Sequence, residues 1–369
     1  MFAKHPHRIF DDQSQGYLIP ALCFAMFVKL VNIIVALLLV LVIQSCKTTT
    51  ETVEAQVPVA GDDRYDSEFP SKSISKELEF ISRTVKKLDC LAFYMSYFFP
   101  PDNTLDDVPM TKENIKKQSL ANTVTNESVT GTAVVIYYDG GMAGLLTCAH
   151  VIDFPDTIIT RYDNGAGPIQ VLSVKVRQQN YIKDMSDGEN VEVVVVDKEH
   201  DLALLKKKLG DISLRPQVLN YPIGNTRDLE WGSIVYIMGY PQGQQMVTRA
   251  LVSNPGEVSK DRFLTDAVYN KGISGSPVFA IRDGVPNLEW VGVATSSSAQ
   301  QIYYTKPGKI APEFINPEEP YTGELFVDRV KTINYGITFN TTIESVQKLI
   351  RDNEKLLEKK GFFTDQFFK

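Results

Sequence analysis

Hydrophobic and polar positions divide this chain into sharply unlike stretches. From Leu18 to Ile43 apolar residues dominate, with Lys29 and Asn32 as the main polar interruptions. Residues 47–72 are rich in Thr, Glu, Asp, Ser and Pro without an apolar period, and read as a flexible tether. From Ser73 the apolar residues Ile74, Leu78, Ile81, Val85, Leu88 and Ala92 recur at three- and four-residue steps, which predicts an amphipathic helix ended by Pro100 and Pro101. Its plainest role is a packing appendage, and a clamp across the rest of the molecule is the alternative. A polar connection follows over 101–126.

Beyond Gly131 the pattern changes to that of strands. Thr132–Tyr138 is β-branched and aromatic, bounded by Asp139-Gly140-Gly141, and Val191–Val196 is a second such run. Asn164–Pro168 is glycine-rich but lacks the strand–loop–helix setting of a phosphate cradle, so it reads as a loop. Residues 300–332, with Pro307, Pro312, Pro317 and Pro320, read as an inserted loop. Thr341-Thr342-Ile343-Glu344 has the form of a capping box opening a terminal helix that places Ile343, Val346 and Ile350 on one face.

Composition narrows the function classes. At 43% hydrophobic and 22% charged the chain is ordinary globular material. A net charge of −7, a pI near 5.3 and the lack of a long basic run argue against nucleic acid as a partner. His, Cys and carboxylate residues show no metal-ligand spacing, and no cofactor is implied.

Candidate chemistry centres on Gly272-Ile273-Ser274-Gly275-Ser276-Pro277. A serine hydroxyl needs a base to become a nucleophile, and the anion formed on an attacked carbonyl needs fixed N–H donors. Glycines on both sides of Ser274 allow a turn tight enough to aim such donors. Past the apolar leader the remaining histidines are His150 and His200. His150 ends the apolar run Leu145–Ala149 and is the candidate base; His200, in Asp197-Lys198-Glu199-His200, reads as a surface-loop histidine. Asp201 opens the apolar run Leu202–Leu205, a place from which a carboxylate can orient an imidazole.

Leu146-Thr147-Cys148-Ala149-His150-Val151, Asp201-Leu202-Ala203-Leu204-Leu205 and Thr265–Pro277 together resemble the motifs of trypsin-like serine peptidases, nearest the bacterial HtrA/Deg-type branch, in the chymotrypsin order His, Asp, Ser. Gly232–Gly243 and Asn334–Phe339 resemble strands of the same family. The resemblance implies a mostly β fold of two antiparallel six-stranded barrels, with an N-terminal helical extension and a C-terminal helix. It implies His150 as general acid–base, Asp201 as its orienting partner, Ser274 as nucleophile, and the N–H groups of Gly272 and Ser274 as the oxyanion hole. It places Val268 at the floor of the substrate pocket, with Ala294, Thr295 and Ser296 beside it. Polypeptides are the implied substrates, and with no carboxylate at 268 cleavage is expected after small or medium aliphatic residues. A protease-fold protein that binds polypeptides without cutting them is the alternative.

There are departures from the family pattern. Ile273 stands where digestive relatives carry the aspartate that pairs with a new N-terminus after zymogen cleavage, so activation by that route is not expected. Ser276 replaces a glycine. Cys148 reads as a small buried group and Cys90 as a second unpaired thiol, with a disulfide between them in an oxidising envelope as the alternative. No PDZ-sized domain is expected after the closing strand. The expected organisation is a leader over 1–46, the tether over 47–72, the helical extension over 73–126, a peptidase domain over 127–350 and a helical tail over 351–369.

The leader itself resembles a bacterial lipoprotein signal. Its apolar core runs into Ile43-Gln44-Ser45-Cys46, which loosely fits a lipidation site at Cys46, and Met26-Phe27-Val28-Lys29 makes Met26 an expected start of translation. A transmembrane anchor is the alternative. Either way the protein is expected on a membrane of the bacterial cell envelope.

Overall fold

The computed structural model describes residues 61–368 apart from 186–189, 211–214, 260, 308–317 and 319–322. The apolar leader, Cys46 and part of the 300–332 insertion lie outside the described residues. Among the described residues no helix is long and apolar enough to cross a membrane.

The strand expected at Thr132–Tyr138 is the inner part of β2 (Ala121–Asp139), which folds back onto β3 (Met142–Thr147) through Gly140 and Gly141. Those two glycines take φ of 53° and 82°, as a two-residue hairpin matched to strand twist requires. With β1 (Val85–Phe98), β4 (Thr157–Arg161), β5 (Ile169–Ile182), β6 (Glu192–Asp197) and β7 (Leu202–Lys208) they form an antiparallel sheet in the order β4-β5-β1-β2-β3-β7-β6. β5 and the approach to β6 then meet. The Val191 N–H donates to the Asn180 carbonyl at 3.0 Å, and the Asn180 N–H donates to Asn190 Oδ1 at 2.6 Å, curling the sheet into a partly closed barrel.

A second sheet closes completely. β8 (Ile234–Gly239), β9 (Met246–Ser259), β10 (Arg262–Thr265), β11 (Ser276–Ile281), β12 (Leu288–Pro307) and β13 (Leu325–Thr342) form a barrel in the order β10-β13-β12-β11-β8-β9. The run expected as a loop around 300–332 is, at both its described ends, a ribbon. β12 and β13 stay paired from Ala299↔Ile333 out to Pro307↔Leu325. Val235, Ile237, Val252, Phe263 and Val278 fill the second barrel, whereas the larger apolar cluster runs through the first and across the junction.

Further expectations need correcting. The helix predicted from Ser73 through Ala92 stops early: α1 spans Ser75–Thr84, and residues 85–98 are β1. From Leu88 the buried residues are Leu88, Cys90, Ala92, Tyr94 and Ser96, an alternation of two that the three-and-four spacing masked, and Phe93, Tyr94, Tyr97 and Phe98 favour a strand. Likewise 101–126 is no mere connection, since it holds α2 (Lys112–Gln118) and the outer half of β2.

The described part of the expected tether is also pinned. Asp66 N–H donates to the Ile281 carbonyl, and Ile234 N–H to that of Asp66, both at 2.8 Å. Tyr65 is buried beneath Arg282, whose guanidinium lies 4.1 Å from the ring centroid and reaches Asp63, Asp228 and Glu289 at 3.3, 3.0 and 3.1 Å. One aromatic anchor and edge hydrogen bonds need no apolar period, so hydropathy could not reveal them.

The capping box does not form. In α3 (Ala149–Ile152) and α4 (Ile343–Asp352) no side chain caps the first turn. Glu344 instead accepts from the Thr226 N–H at 2.9 Å, and the Thr341 hydroxyl donates to the His200 carbonyl at 2.8 Å. The chain continues through α5 (Glu354–Lys359) and crosses back to the first barrel. There Phe362 and Phe367 pack on Tyr137 with centroids 5.1 and 5.0 Å apart.

Candidate active site

The cleft side chains come from both barrels. β3 delivers Thr147 and Cys148, after which the short α3 turns His150 outward. β7 begins one residue after Asp201, and its Leu202, Ala203, Leu204 and Leu205 are all buried, which fixes the carboxylate at the rim. Asp201 takes φ 56°, a left-handed conformation that aspartate tolerates better than most residues. Ser274 sits in the tight turn before β11.

Three candidate residues are brought into one chain of hydrogen bonds. His150 Nδ1 lies 2.7 Å from Asp201 Oδ2, and the His150 backbone N–H donates to Oδ1 at 3.0 Å. His150 Nε2 lies 3.0 Å from Ser274 Oγ. The carboxylate thus grips ring and backbone together, fixing the imidazole orientation and favouring a proton on Nδ1, so that Nε2 faces the hydroxyl as acceptor. The Ser274 hydroxyl also reaches the Thr295 carbonyl at 2.8 Å. Chemically, the arrangement can pass a proton from Oγ to Nε2 as the oxygen attacks an electrophile.

The turn around Ser274 is held by residues that sequence reasoning missed. Thr132, read only as part of a strand, donates its hydroxyl to the Gly272 carbonyl at 2.7 Å and accepts from the Tyr240 N–H at 2.9 Å. Its own N–H donates to the Ser274 carbonyl at 2.8 Å, and its carbonyl accepts from the Thr147 hydroxyl at 2.7 Å. A Cβ on Gly275 would lie 2.0 Å from that Thr132 carbonyl, and one on Gly272 would lie 2.3 Å from the Tyr240 carbonyl. With φ of 104° and 92°, Gly272 and Gly275 occupy backbone that side chains disfavour, so both the space and the conformation require glycine. The only clue in the sequence was a threonine directly after Gly131.

Ile273 is buried in the core of the second barrel, and Ser276 folds its hydroxyl back onto the Ile273 carbonyl at 2.5 Å. Both departures from the family pattern are therefore absorbed as packing. Cys148 is fully buried with its thiol on the Ala294 carbonyl at 3.4 Å, and burial pushes that thiol well above its ordinary pKa. Cys90 is buried and unpaired too, its thiol pushed up to about 12 by burial. Cys148, His150 and Asp201 offer ligand atoms within 4.8 Å of one another, a proximity their sequence spacing conceals. With the thiol held protonated and Nδ1 committed to Asp201, the group suits proton relay better than metal binding.

Two readings are corrected here. His200 is no surface-loop histidine: it is buried, with Nδ1 2.6 Å from Asp197 Oδ2. Burial works to raise the Asp197 carboxyl, but donation from the His200 backbone and ring outweighs it and holds that group below the usual range. Nor does Val268 floor an enclosed pocket, because it is 54% exposed. Ala294 and Thr295 are buried and offer the cleft their backbone rather than their side chains; only Ser296 is exposed there.

The chain is 26% identical over 230 residues to the serine protease Do-like HtrA of Bacillus subtilis (strain 168), covering 55% of this chain and 43% of that protein, so it spans less than half of that relative's length. Among solved structures, a crystal structure of Deg5 aligns with 60% of this chain and 85% of its own, at 18% identity and a TM-score of 0.31. The family model for the trypsin-like peptidase domain matches residues 131–292, a segment that contains His150, Asp201 and Ser274.

Proposed function

We propose that this protein is a serine endopeptidase. The observation that carries the reading is the continuous relay from Asp201 through His150 to Ser274 at 2.7 and 3.0 Å. In this reading His150 Nε2 takes the hydroxyl proton as Ser274 Oγ bonds to the scissile carbonyl carbon. The tetrahedral oxyanion is met by the N–H groups of Gly272 and Ser274. Collapse breaks the C–N bond, the leaving amine takes the proton from Nε2, and an acyl-enzyme remains for water to hydrolyse by the same steps in reverse. Asp201 orients the ring and stabilises its charged form throughout.

A fluorophosphonate probe tests this directly. The native protein should gain the probe mass on Ser274, and Ser274→Ala should gain none. A second reading, a polypeptide-binding protein that does not cut, draws support from the Ser274 hydroxyl having the Thr295 carbonyl as another acceptor at 2.8 Å. No labelling of intact, folded protein would favour it.

The same reading places the protein on a bacterial envelope membrane, held by a lipid on Cys46 and acting on polypeptides there. Its support is the apolar run ending at Ile43-Gln44-Ser45-Cys46. Metabolic labelling with a fatty acid should mark the native protein and not Cys46→Ala; an intact segment before Cys46 in the native protein would favour a membrane anchor.

A further inference from the structure

β2 approaches the nucleophile with one side unpaired. From Ala121 to Val134 its inner side is laddered to β1 without a register shift. β3 covers the other side only from Val134 to Asp139. Among the described residues no strand pairs with the outer side between Asn122 and Thr130. The Thr132 N–H points outward, since it donates to the Ser274 carbonyl at 2.8 Å. Alternation along an unbulged strand then sends the N–H and C=O groups of Thr130, Ser128, Asn126, Val124 and Asn122 outward as well. That edge is solvent-exposed through Ser128. Glu127 is its one charged side chain, and the edge carries no lysine, proline or bulge, the stronger devices that keep strand edges from pairing.

Position decides what such an edge would receive. A Cβ on Gly131 would meet Val151, the residue after His150, at 2.6 Å. The edge therefore begins on the His150 side of Ser274, and in the endopeptidase reading His150 delivers its proton to the leaving amine. The β12 backbone at Thr295 flanks Ser274 on the other side. A bound polypeptide leaves the nucleophile carboxyl-ward, whereas β2 runs toward it, so the two strands would lie antiparallel.

We propose that the leaving-group side of the substrate adds to this edge as an antiparallel strand, reaching from Thr130 as far as Asn122. At 3.4 Å per residue that span is about 27 Å, enough for about eight substrate residues. Recognition rests on main-chain hydrogen bonds, so the ligand class is an extended polypeptide of little sequence preference on that side. The proposal depends on the endopeptidase reading and adds to it a requirement for length.

The test uses peptides with one acyl side and one cleavage site, the leaving side lengthened from two to ten residues. We expect kcat/KM to rise roughly 10–100-fold in total and to level off near eight residues. N-methylation of alternate amides in the longest peptide should abolish the gain in one phase of the alternation and spare it in the other. Asn126→Pro removes one outward N–H, and the ratio of long-peptide to short-peptide rates should fall by about tenfold; the N-methyl series decides the matter even if that variant does not fold. Equal rates at every length, with the short peptide cleaved, would overturn the proposal and leave the endopeptidase reading intact. No cleavage at any length together with no fluorophosphonate labelling would remove both. A dimer dispersed by Asn126→Pro, with rates independent of length, would mean that the edge receives a second copy of this chain and would equally overturn it.

Discussion

Thr132→Val isolates the part played by one hydroxyl beneath the nucleophile. Valine keeps the shape of threonine and puts a methyl group in place of the hydroxyl. The Tyr240 N–H loses its acceptor at 2.9 Å and the Gly272 carbonyl its donor at 2.7 Å, and Thr132, Tyr240 and Gly272 are all buried. An orphaned buried polar group costs about 1–3 kcal/mol, so roughly 2–5 kcal/mol of stability should be lost. At about 2–4 °C per kcal/mol, the unfolding midpoint should fall by roughly 5–15 °C. Gly272 is also a proposed oxyanion donor. Loosening it should slow acylation about tenfold, short of the ~10²–10³ lost when such a donor is removed outright. The assay is calorimetric unfolding beside the second-order rate of fluorophosphonate labelling, with Thr132→Ser as the variant that retains the hydroxyl and should recover most of both losses. A Thr132→Val protein with native midpoint and native labelling rate would refute the reasoning.

Ser274→Ala, His150→Ala and Asp201→Ala should each lower peptide turnover by orders of magnitude without adding, because the three act as a unit. His200→Ala should instead show its effect in thermal unfolding, with kcat near native once the protein is folded. Gly275→Ala should fail to fold or fail to label, since its new Cβ meets the Thr132 carbonyl at 2.0 Å; near-native labelling would contradict that clash. The carboxyl of Asp197 is held below its ordinary pKa, so its contribution to stability is present above the unfolded value near 3.9 and is lost as pH falls through the folded value. Asp197→Asn should accordingly lower the unfolding midpoint at pH 7, and the difference from the parent should shrink as pH falls through the folded value.

Much of the candidate site was legible because its chemistry demands particular residue types at particular places. Leu145–His150 and Asp201–Leu205 are apolar runs ending or beginning in a functional group, and Gly272–Gly275 brackets a serine with the only residue its backbone tolerates. What stayed hidden was carried by long-range contacts. His200 sits in a polar sequence and is buried by Thr341 and Asp197. Tyr65 looks like one aromatic in a tether until the edge of the second barrel pairs beside it. Residues 85–98 satisfied a helical period and a strand period at once, and the ladders to β2 and β5 decided between them. Thr132 matters through its oxygen, which no hydropathy pattern registers.

The return of the chain to the first barrel sets a timetable. Tyr137 lies early, and the Phe363 N–H that donates to its hydroxyl at 3.3 Å comes 226 residues later. At 5–20 residues per second of synthesis, the aromatic face that Phe362 and Phe367 eventually cover stays bare for about 10–45 s after Tyr137 is made. Throughout that interval the growing chain presents a sticky surface that Phe362 and Phe367 have yet to seal, so each ribosome carrying it must keep that surface from neighbouring chains until they emerge.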